Sequence, residues 1–320
     1  MLKTLFAALP LAMALSLPAA AQSPYPDHTI RIVHGFAAGG NADTVSRIIA
    51  DALSQDLGQP VVVEARPGAG GTVASGYVAQ QEADGYTLQL LVGGHPVAAA
   101  LYNSLPFDSL EDFTFISTVG QFPFFVGAQH GRFASIQEVI DAARANPRSI
   151  RIGHAGVGST QHLTGELLGL ETGVQFLHVP YQGGAAATTA LMGGEIDLVI
   201  DAGTVILGQA DAGVFDALAV TSGARWDDRP DVPTLAETVA PGFDVLSWTG
   251  IGAPAGLPAE IAETLNAAVN RALQDQGVRE RILALGASPA GSTGEDFRAM
   301  VERQVATWTR VIDAAEIERR

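Results

Sequence analysis

Short apolar runs alternate along the chain with longer segments in which apolar residues recur at helical spacing. The runs predict strands at residues 29–33, 60–64, 86–92, 150–153, 176–179, 196–200 and 217–221. Between them, the spacing predicts a helix over residues 45–57 that ends at Gly58, and another near residues 72–81. This alternation is typical of parallel sheets covered by helices on both faces, so we predict an α/β fold.

The last part of the chain has the pattern of two amphipathic helices. One begins at Pro258, since proline favours the first turn of a helix. The apolar positions form two stripes that predict buried faces, at Ile261, Leu265, Ala268, Val269, Ala272 and Leu273, and at Phe297, Met300, Val301, Trp308, Val311 and Ile312. A length of 320 residues suggests two domains. Because no low-complexity linker separates two halves, we expect strands to cross between them.

The N-terminus has the pattern of a cleaved export signal. Lys3 precedes an apolar run over residues 5–18, and small residues follow up to Ala21, after which we predict cleavage. The alternative is a membrane anchor, but the run is shorter than the roughly 20 residues a spanning helix needs and contains Pro10 and Pro18. The sequence therefore predicts an exported protein.

Composition excludes several classes of function. The chain has 34 acidic and 18 basic residues, a net charge of -16 and no cysteine. Disulfides, thiolate nucleophiles and cysteine-type zinc clusters are thus excluded. Lys3 is the only lysine, so the mature chain would carry 17 arginines against 34 acidic residues and no lysine for a Schiff base or P-loop. The acidic balance also argues against nucleic acid and anionic membranes as partners.

Three glycine-rich segments lie between a predicted strand and a predicted helix: residues 36–43 (FAAGGNAD), 66–72 (RPGAGGT) and 153–162 (GHAGVGSTQH). Glycines in this position let a ligand approach backbone N–H groups at a helix N-terminus, which binds anions. The alternative is that the glycines only form tight turns. Since three segments share the same context, we predict an anion site.

Motifs of common enzyme sites are missing. The second segment has Val73 at the third glycine position of a dinucleotide fingerprint, and the P-loop, GxSxG, HExxH and EF-hand patterns do not occur. Ser159 with His154 or His162 would be the pair of an exported α/β hydrolase, although a serine there is more often an N-cap or a ligand donor. The seven histidines are scattered along the chain, and their spacing predicts no metal site.

Two carboxylates near these loops have open roles. Asp43 is expected to be an N-cap or to orient its loop, because a free carboxylate facing a ligand carboxylate would repel it. Asp201 follows a predicted strand and either accepts a hydrogen bond from a ligand hydroxyl, amine or water, or caps the next segment.

Taken together, these segments resemble the Bug/TctC family of periplasmic solute-binding proteins, the extracytoplasmic receptors of tripartite tricarboxylate transporters. The matching segments are YPDHTIRIVHGFAAGGNAD, EARPGAGGTVASGYVA, GHPVAAALYNSLPFD, GHAGVGSTQHLTGELL, VPYQGGAAATTALMGGEIDLVID and WTGIGAPAGLP. The resemblance covers essentially the whole mature chain. Departures include Gly35 where the family often has proline, Ala65 before Arg66-Pro67 where it often has Asn, and Gly93 and Gly94 where it has threonine-rich residues.

The resemblance implies a two-domain Venus flytrap of the type II-like periplasmic-binding-protein fold, with strands crossing between the lobes. Lobe 1 would comprise residues 22–123 and 250–320, and lobe 2 residues 124–249. Carried onto this sequence, the family's cleft residues are Phe36, Ala38, Gly39, Gly40, Asn41, Asp43, His95, Ala155, Gly156, Val157, Gly158, Ser159, Thr160, Tyr181 and Asp201.

The resemblance also implies a function without a catalytic residue or cofactor. A small carboxylate would be held in the cleft by backbone N–H groups and water: a di- or tricarboxylate, an acidic amino acid or an aromatic carboxylate. The expected partners are the membrane subunits of a tripartite tricarboxylate transporter, the expected location is the periplasm, and the receptor is expected to be a monomer. A second possibility is a receptor whose closed form engages a signalling sensor.

Overall fold

The computed structural model describes residues 25–36, 38, 41–181 and 183–320. The predicted export signal, residues 1–21, therefore lies outside the described residues. The strands are β1 Ile30–His34, β2 Val61–Ala65, β3 Thr87–Val92, β4 Phe113–Gln129, β5 Arg151–His154, β6 Leu177–Pro180, β7 Leu198–Ala202, β8 Phe215–Val220, β9 Leu246–Pro254 and β10 Ser288–Pro289. The helices are α1 Asn41–Leu57, α2 Thr72–Val78, α3 Gly94–Leu101, α4 Ile136–Ala145, α5 Thr160–Thr172, α6 Gly184–Met192, α7 Gly203–Asp211, α8 Leu235–Thr238, α9 Ala259–Ala272, α10 Gln276–Leu283 and α11 Gly294–Ala314.

One long strand, β4, joins two halves of the sheet. The sheet has the order β2-β1-β3-β9-β4-β7-β5-β6, with β8 and β10 also paired to β4. Between Phe113 and Pro123 the strand pairs with β9, and from Phe124 onward it pairs with β7 and β8. We call β1, β2, β3, β9, β10 and the first part of β4 the first half, and the remaining strands the second half.

The predicted parallel pairing holds only in part. The pairs β1–β2, β1–β3, β5–β6 and β5–β7 are parallel, whereas β4 and β9 at the centre pair antiparallel with their neighbours. Most of the predicted strands are present but begin one or two residues later. At β2 the reason is Pro60, which has no N–H to donate and contributes only its carbonyl, which accepts from Ile30 N at 2.9 Å.

The predicted helical stripes are buried except for Ile261 and Met300, which are partly buried. Leu265, Ala268 and Val269 of α9 lie in a core with Ile48 and Leu53 of α1, in the first half. The long helix α11 packs against both halves. Its Phe297 and Val301 lie in a core with Trp248 of the first half, while Trp308, Val311 and Ile312 lie in a core with Leu163 and Leu167 of α5 in the second half.

The strand order brings several helix N-termini to one region between the halves. Strands β1, β3, β5 and β7 are each followed by a helix, α1, α3, α5 and α7. Because the carboxyl ends of parallel strands meet at one edge of a sheet, the loops after them meet there too. None of the described helices has the length and apolar character needed to cross a membrane.

Candidate functional site

A cleft between the halves contains two cavities that share Thr160, Gln161 and Ser247. The larger has a volume of about 470 Å³ and the second about 450 Å³. The larger is lined by Phe36, Ala69, Gly70, Val92, Gly93, Gly94, Val97, Ala98, Leu101, Tyr102, Ala155, Gly156, Val157, Gly158, Ser159, Thr160, Gln161, Ser247 and Arg320. The second is lined by Asn41, Thr44, Phe122, Phe124, Thr160, Gln161, Ala202, Thr204, Ser247 and Leu285.

Two helix N-termini face the larger cavity from opposite halves. Helix α3 begins at Gly94, and its first two turns line the first-half side. Helix α5 begins at Thr160 on the other side, with Ser159 as its N-cap. The first N–H groups of a helix have no partner within the helix and carry partial positive charge. Two such ends on one cavity create a site for an anion.

The loop before α5 needs its glycines. Gly156 has φ of 122° and Gly158 has φ of 79°, values at which other residues are strained. A Cβ atom on Gly158 would also collide with the side chain of Leu101 from the first half. The loop is held from behind by His162, whose Nδ1 accepts from Gly158 N at 3.2 Å. These contacts keep the backbone of the loop at the cavity wall.

Local charge in the cleft is opposite to that of the whole chain. Among the described residues that line either cavity, Arg320 is the only charged side chain. Its Nη2 donates to the carbonyl of Val157 at 3.4 Å, which places the guanidinium beside the α5 loop. An anion in the cleft therefore meets one arginine side chain and two helix ends, and no acidic side chain among the described lining residues.

The structure brings together just over half of the predicted site residues. Those that line a cavity are Phe36, Asn41, Ala155, Gly156, Val157, Gly158, Ser159 and Thr160. Ala38, Asp43, His95, Tyr181 and Asp201 line neither of the two cavities. Gly39 and Gly40 lie outside the described residues.

Asp43 orients its loop, which is one of its two expected roles. Its Oδ1 lies 3.1 Å from His34 Nε2 and accepts from Arg47 Nη2 at 3.0 Å. Its Oδ2 accepts from Arg47 Nε at 3.0 Å. The carboxylate is buried and paired, so it fixes the start of α1 against the end of β1.

His95 and Asp201 support the cleft from behind its walls. His95 Nε2 lies 2.9 Å from the carbonyl of Ser109, and burial lowers the pKa of its ring to about 4, so the ring is neutral. Asp201 Oδ1 accepts from Gln161 Nε2 at 3.2 Å and from Ala202 N at 2.8 Å. Burial raises the pKa of Asp201. Gln161 lines both cavities, so Asp201 influences the cleft by positioning the side chain of Gln161.

Several lining residues are outside the predicted set. Gly70 lies in a glycine-rich segment that predicts an anion loop, and Gly93 departs from the family pattern. Ser247 and Arg320 were missed because β9 and the C-terminal residues reach the cleft only through long-range packing. Arg320 N donates to Leu101 O at 3.0 Å, which fixes the end of the described chain beside α3.

The geometry of Ser159 matches an N-cap and not a nucleophile. Its Oγ accepts from His162 N at 3.1 Å. Within the described part of the chain, no hydrogen bond joins Ser159 Oγ to a histidine ring, and His162 Nδ1 is engaged by Gly158. The arrangement lacks the bonded base that activates a serine.

Three histidines that are scattered along the chain lie together behind this loop. They are His154, His162 and His178, with ring centroids 4.3 to 5.8 Å apart. Glu166 Oε1 lies 3.5 Å from Nε2 of both His162 and His178. Sequence spacing did not indicate this cluster, because the three residues come from β5, α5 and β6 and meet only in the folded sheet.

Comparison with known proteins gives the same assignment for the whole chain. The family model described as tripartite tricarboxylate transporter family receptor matches residues 45–317. A UPF0065 protein of Pseudomonas sp. strain P51 is 35% identical over 313 residues, 97% of this chain and 93% of its own length. The protein BugT of Bordetella pertussis is 34% identical over 291 residues, 90% of this chain and 89% of its own length.

Solved structures show the same fold. The periplasmic binding protein BugD superposes with a TM-score of 0.76 at 34% identity, covering 92% of this chain and 100% of BugD. MatC of Rhodopseudomonas palustris with bound malate has a TM-score of 0.74 at 33% identity and covers 90% of this chain and 100% of MatC. An R. palustris protein with adipate has a TM-score of 0.79 at 34% identity and covers 92% and 99%. The predicted two-domain periplasmic-binding-protein fold is confirmed, and the chain belongs to the family of tripartite tricarboxylate transporter receptors, as a solute-binding protein.

Proposed function

We propose that this receptor binds a small carboxylate in the cleft between its halves and delivers it to the membrane subunits of a tripartite tricarboxylate transporter. The observation that carries the ligand class is the wall of the larger cavity. It presents the N-termini of α3 and α5 and the guanidinium of Arg320, and its described lining contains no acidic side chain.

Recognition by this wall is local. The chain has a net charge of -16, so its long-range field does not attract an anion. Hydrogen bonds from buried N–H groups to an ionised carboxylate contribute about 1.5–3 kcal/mol each. Several such bonds together offset part of the cost of association.

The ligand class is supported by the size of the cleft and by relatives. A volume of about 470 Å³ is in the range that holds a small organic molecule. MatC holds malate and the R. palustris relative holds adipate, which are both dicarboxylates. We therefore propose a dicarboxylate as the first ligand to test, ahead of a tricarboxylate, an acidic amino acid or an aromatic carboxylate.

Closure of the cleft is proposed to signal that the ligand is bound. The proposed lobes are residues 22–123 with 250–320, and residues 124–249. Strand β9 spans the second boundary, since it begins at Leu246 and pairs with the first part of β4. The change of partners along β4 between Pro123 and Phe124 supports the first boundary. Contacts that the ligand makes to both halves bias the equilibrium toward the closed form. Since α11 packs against both halves, its contacts must adjust during closure.

Export is part of the proposal. We propose that residues 1–21 are removed after Ala21 and that the mature receptor works in the periplasm as a monomer. The charge, apolar run and small residues of the N-terminus support this, as does BugD, a periplasmic binding protein.

The ligand class is tested by thermal melting with a panel of malate, adipate, citrate, glutamate and benzoate, with a neutral sugar and a simple cation as controls. A ligand that binds only the folded chain raises the melting temperature by mass action. Calorimetry on Arg320→Gln is expected to show about tenfold or more weaker binding of the best carboxylate, since a charged hydrogen-bond donor is removed.

The matched control is Arg310→Gln, which removes an arginine of α11 that pairs with Glu171 on the surface. It is expected to bind as the unmodified protein does. A shift with the sugar or cation alone, or equal affinity in both arginine variants, would contradict the proposal.

A further inference from the structure

We propose that His154, His162 and His178 form a binding site for one divalent transition-metal ion, with Glu166 beside them as the orienting carboxylate. The cluster lies behind the wall of the cleft and does not line either cavity, and His162 contacts the α5 loop through Gly158.

The three rings converge from different elements. His154 ends β5, His162 lies in the first turn of α5 and His178 lies in β6. One ring nitrogen of each lies within 4.8 Å of the other two. In a tetrahedral zinc site, bonds of about 2.0–2.1 Å put nitrogen ligands roughly 3.4 Å apart. Small rotations of the side chains therefore bring the nitrogens onto one ion.

Two ring nitrogens of the cluster are buried without a hydrogen-bond partner among the described residues, as ligand atoms of an empty metal site would be. His154 Nε2 and His178 Nδ1 are buried and have no hydrogen-bond partner in the described part of the chain. Buried polar atoms in proteins are nearly always paired, so an unpaired ring nitrogen on each of two neighbouring histidines points to a missing partner. A metal ion satisfies both.

The opposite nitrogens of these two rings have the partners that orient metal-binding histidines. His154 Nδ1 lies 3.0 Å from the carbonyl of Gly156 and 3.3 Å from Gly156 N, and the tautomer that donates to the carbonyl is the one suited to metal binding. His178 Nε2 lies 3.5 Å from Glu166 Oε1. A ring that donates one N–H to a carbonyl or carboxylate presents the other nitrogen as a lone pair. Glycine at position 165 makes room for this, since a Cβ atom there would lie 2.8 Å from Cε1 of His178.

The third ring connects the cluster to the cleft. His162 Nδ1 accepts from Gly158 N, so the proton of the neutral ring is on Nε2, which faces Glu166. Ligation through Nε2 moves that proton to Nδ1 and breaks the bond to Gly158, with no net gain or loss of protons. The amide of Gly158 therefore reports on occupation of the site.

The type of ligand and the access to the cluster also suit a metal ion. Neutral imidazoles suit first-row metals such as zinc, copper and nickel. A groove of about 680 Å³ lined by Glu166, His178 and Arg148 gives access from the surface.

The experiment uses full-length mature protein without a histidine tag, freed of metal with a chelator. Calorimetry with Zn²⁺ at pH 7.4 is expected to give one equivalent per chain. His154→Gln and His178→Gln are each expected to weaken binding about tenfold or more. Arg148→Gln is expected to strengthen it, since it removes a nearby positive charge.

The matched controls are His28→Gln and His130→Gln, which remove exposed histidines that also pair with a carboxylate. They are expected to bind zinc as the unmodified protein does. Co²⁺ added to the unmodified protein is expected to give the intense visible bands of a tetrahedral site, and Zn²⁺ is expected to shift the Gly158 amide signal in NMR spectra.

Two results would overturn the site. One is the absence of the cobalt bands and of the Gly158 shift in the unmodified protein, which needs no variant to fold. The other is zinc binding that survives in folded His154→Gln and His178→Gln, or that is lost in His130→Gln, since the ion would then sit elsewhere.

Discussion

The side chain of Gln161 donates a hydrogen bond to Asp201 at 3.2 Å and so connects a cavity-lining amide to a buried carboxylate. Gln161 lies in the first turn of α5, and Asp201 lies near the end of β7. The other oxygen of Asp201, Oδ2, has no hydrogen-bond partner among the described residues. The carboxylate therefore holds Gln161 in place while remaining poorly solvated.

Asp201→Asn is expected to stabilise the protein at neutral pH. Burial raises the pKa of Asp201 in the folded chain above 3.8, so the folded state binds the proton more tightly than the unfolded state does. The stability that Asp201 contributes in its protonated form is thus lost as the pH rises through the folded-state pKa. The side-chain amide of the Asp201→Asn variant does not titrate, so its contribution stays the same.

The measurement is the melting temperature of both proteins from pH 4 to pH 7. The difference, variant minus unmodified, is expected to grow with pH. A difference that is constant or shrinks would mean that burial does not set the titration of Asp201.

Substitutions of Ser159 separate helix capping from ligand binding. Ser159→Ala removes the bond from His162 N and is expected to lower the free energy of unfolding by about 1 kcal/mol. Ser159→Asp keeps a capping oxygen but adds a negative charge to the cavity wall. It is expected to melt near the unmodified protein while losing carboxylate affinity by tenfold or more, as measured by calorimetry. Normal carboxylate binding by Ser159→Asp would show that the ligand does not approach this helix end.

Thr221 forms two hydrogen bonds at the point where the chain crosses between the halves. Its side chain is fully buried, and Oγ1 accepts from Phe124 N at 2.9 Å and donates to Val245 O at 2.7 Å. Thr221→Val keeps the shape but leaves two buried groups unpaired, each at a cost of about 1–3 kcal/mol. We expect a loss of about 2–6 kcal/mol in the free energy of unfolding by denaturant.

The control for this loss is Thr264→Val on α9, where Oγ1 donates only to Glu260 O within the helix. Its effect is expected to stay within about 0.5 kcal/mol, as for most surface substitutions. Equal effects of the two substitutions would mean that the crossing bonds contribute little.

The buried histidines predict a loss of stability in mild acid. The pKa falls from 6.5 to about 4 in His178 and to about 3 in His154, because burial disfavours the charged ring. Between these values and 6.5 the unfolded state binds more protons, so the free energy of unfolding falls as the pH falls from about 6.5 toward 4. In metal-free protein, His178→Gln is expected to lower the proton uptake on unfolding at pH 5 by about one.

Calorimetric unfolding in two buffers of different ionisation enthalpy measures that uptake. The exposed His130, which pairs with Asp216, supplies the control variant His130→Gln. An uptake that changes equally in both variants would contradict the assignment to the buried ring.

The glycine-rich loops and the Ser159 cap were predictable because each depends on a few adjacent residues. A glycine at positive φ, such as Gly158, and a serine before a helix favour the same local structure in any tertiary context. The antiparallel centre of the sheet was not predictable in this way. Gln121 of β4 pairs with Trp248 of β9, and the periodicity of neither segment indicates which strand it pairs with.

The amino-acid sequence by itself determined the alternating elements, the glycine-rich loops and the family, since these follow from local patterns of apolar residues, glycines and motif segments. Tertiary structure alone decided that Arg320 and Ser247 line the cleft, that Asp43 is buried and paired, and that three distant histidines share one cluster. The physical reason is that side-chain environment depends on which strands pair and which helices pack, and those contacts join residues whose separation along the chain leaves no local signal.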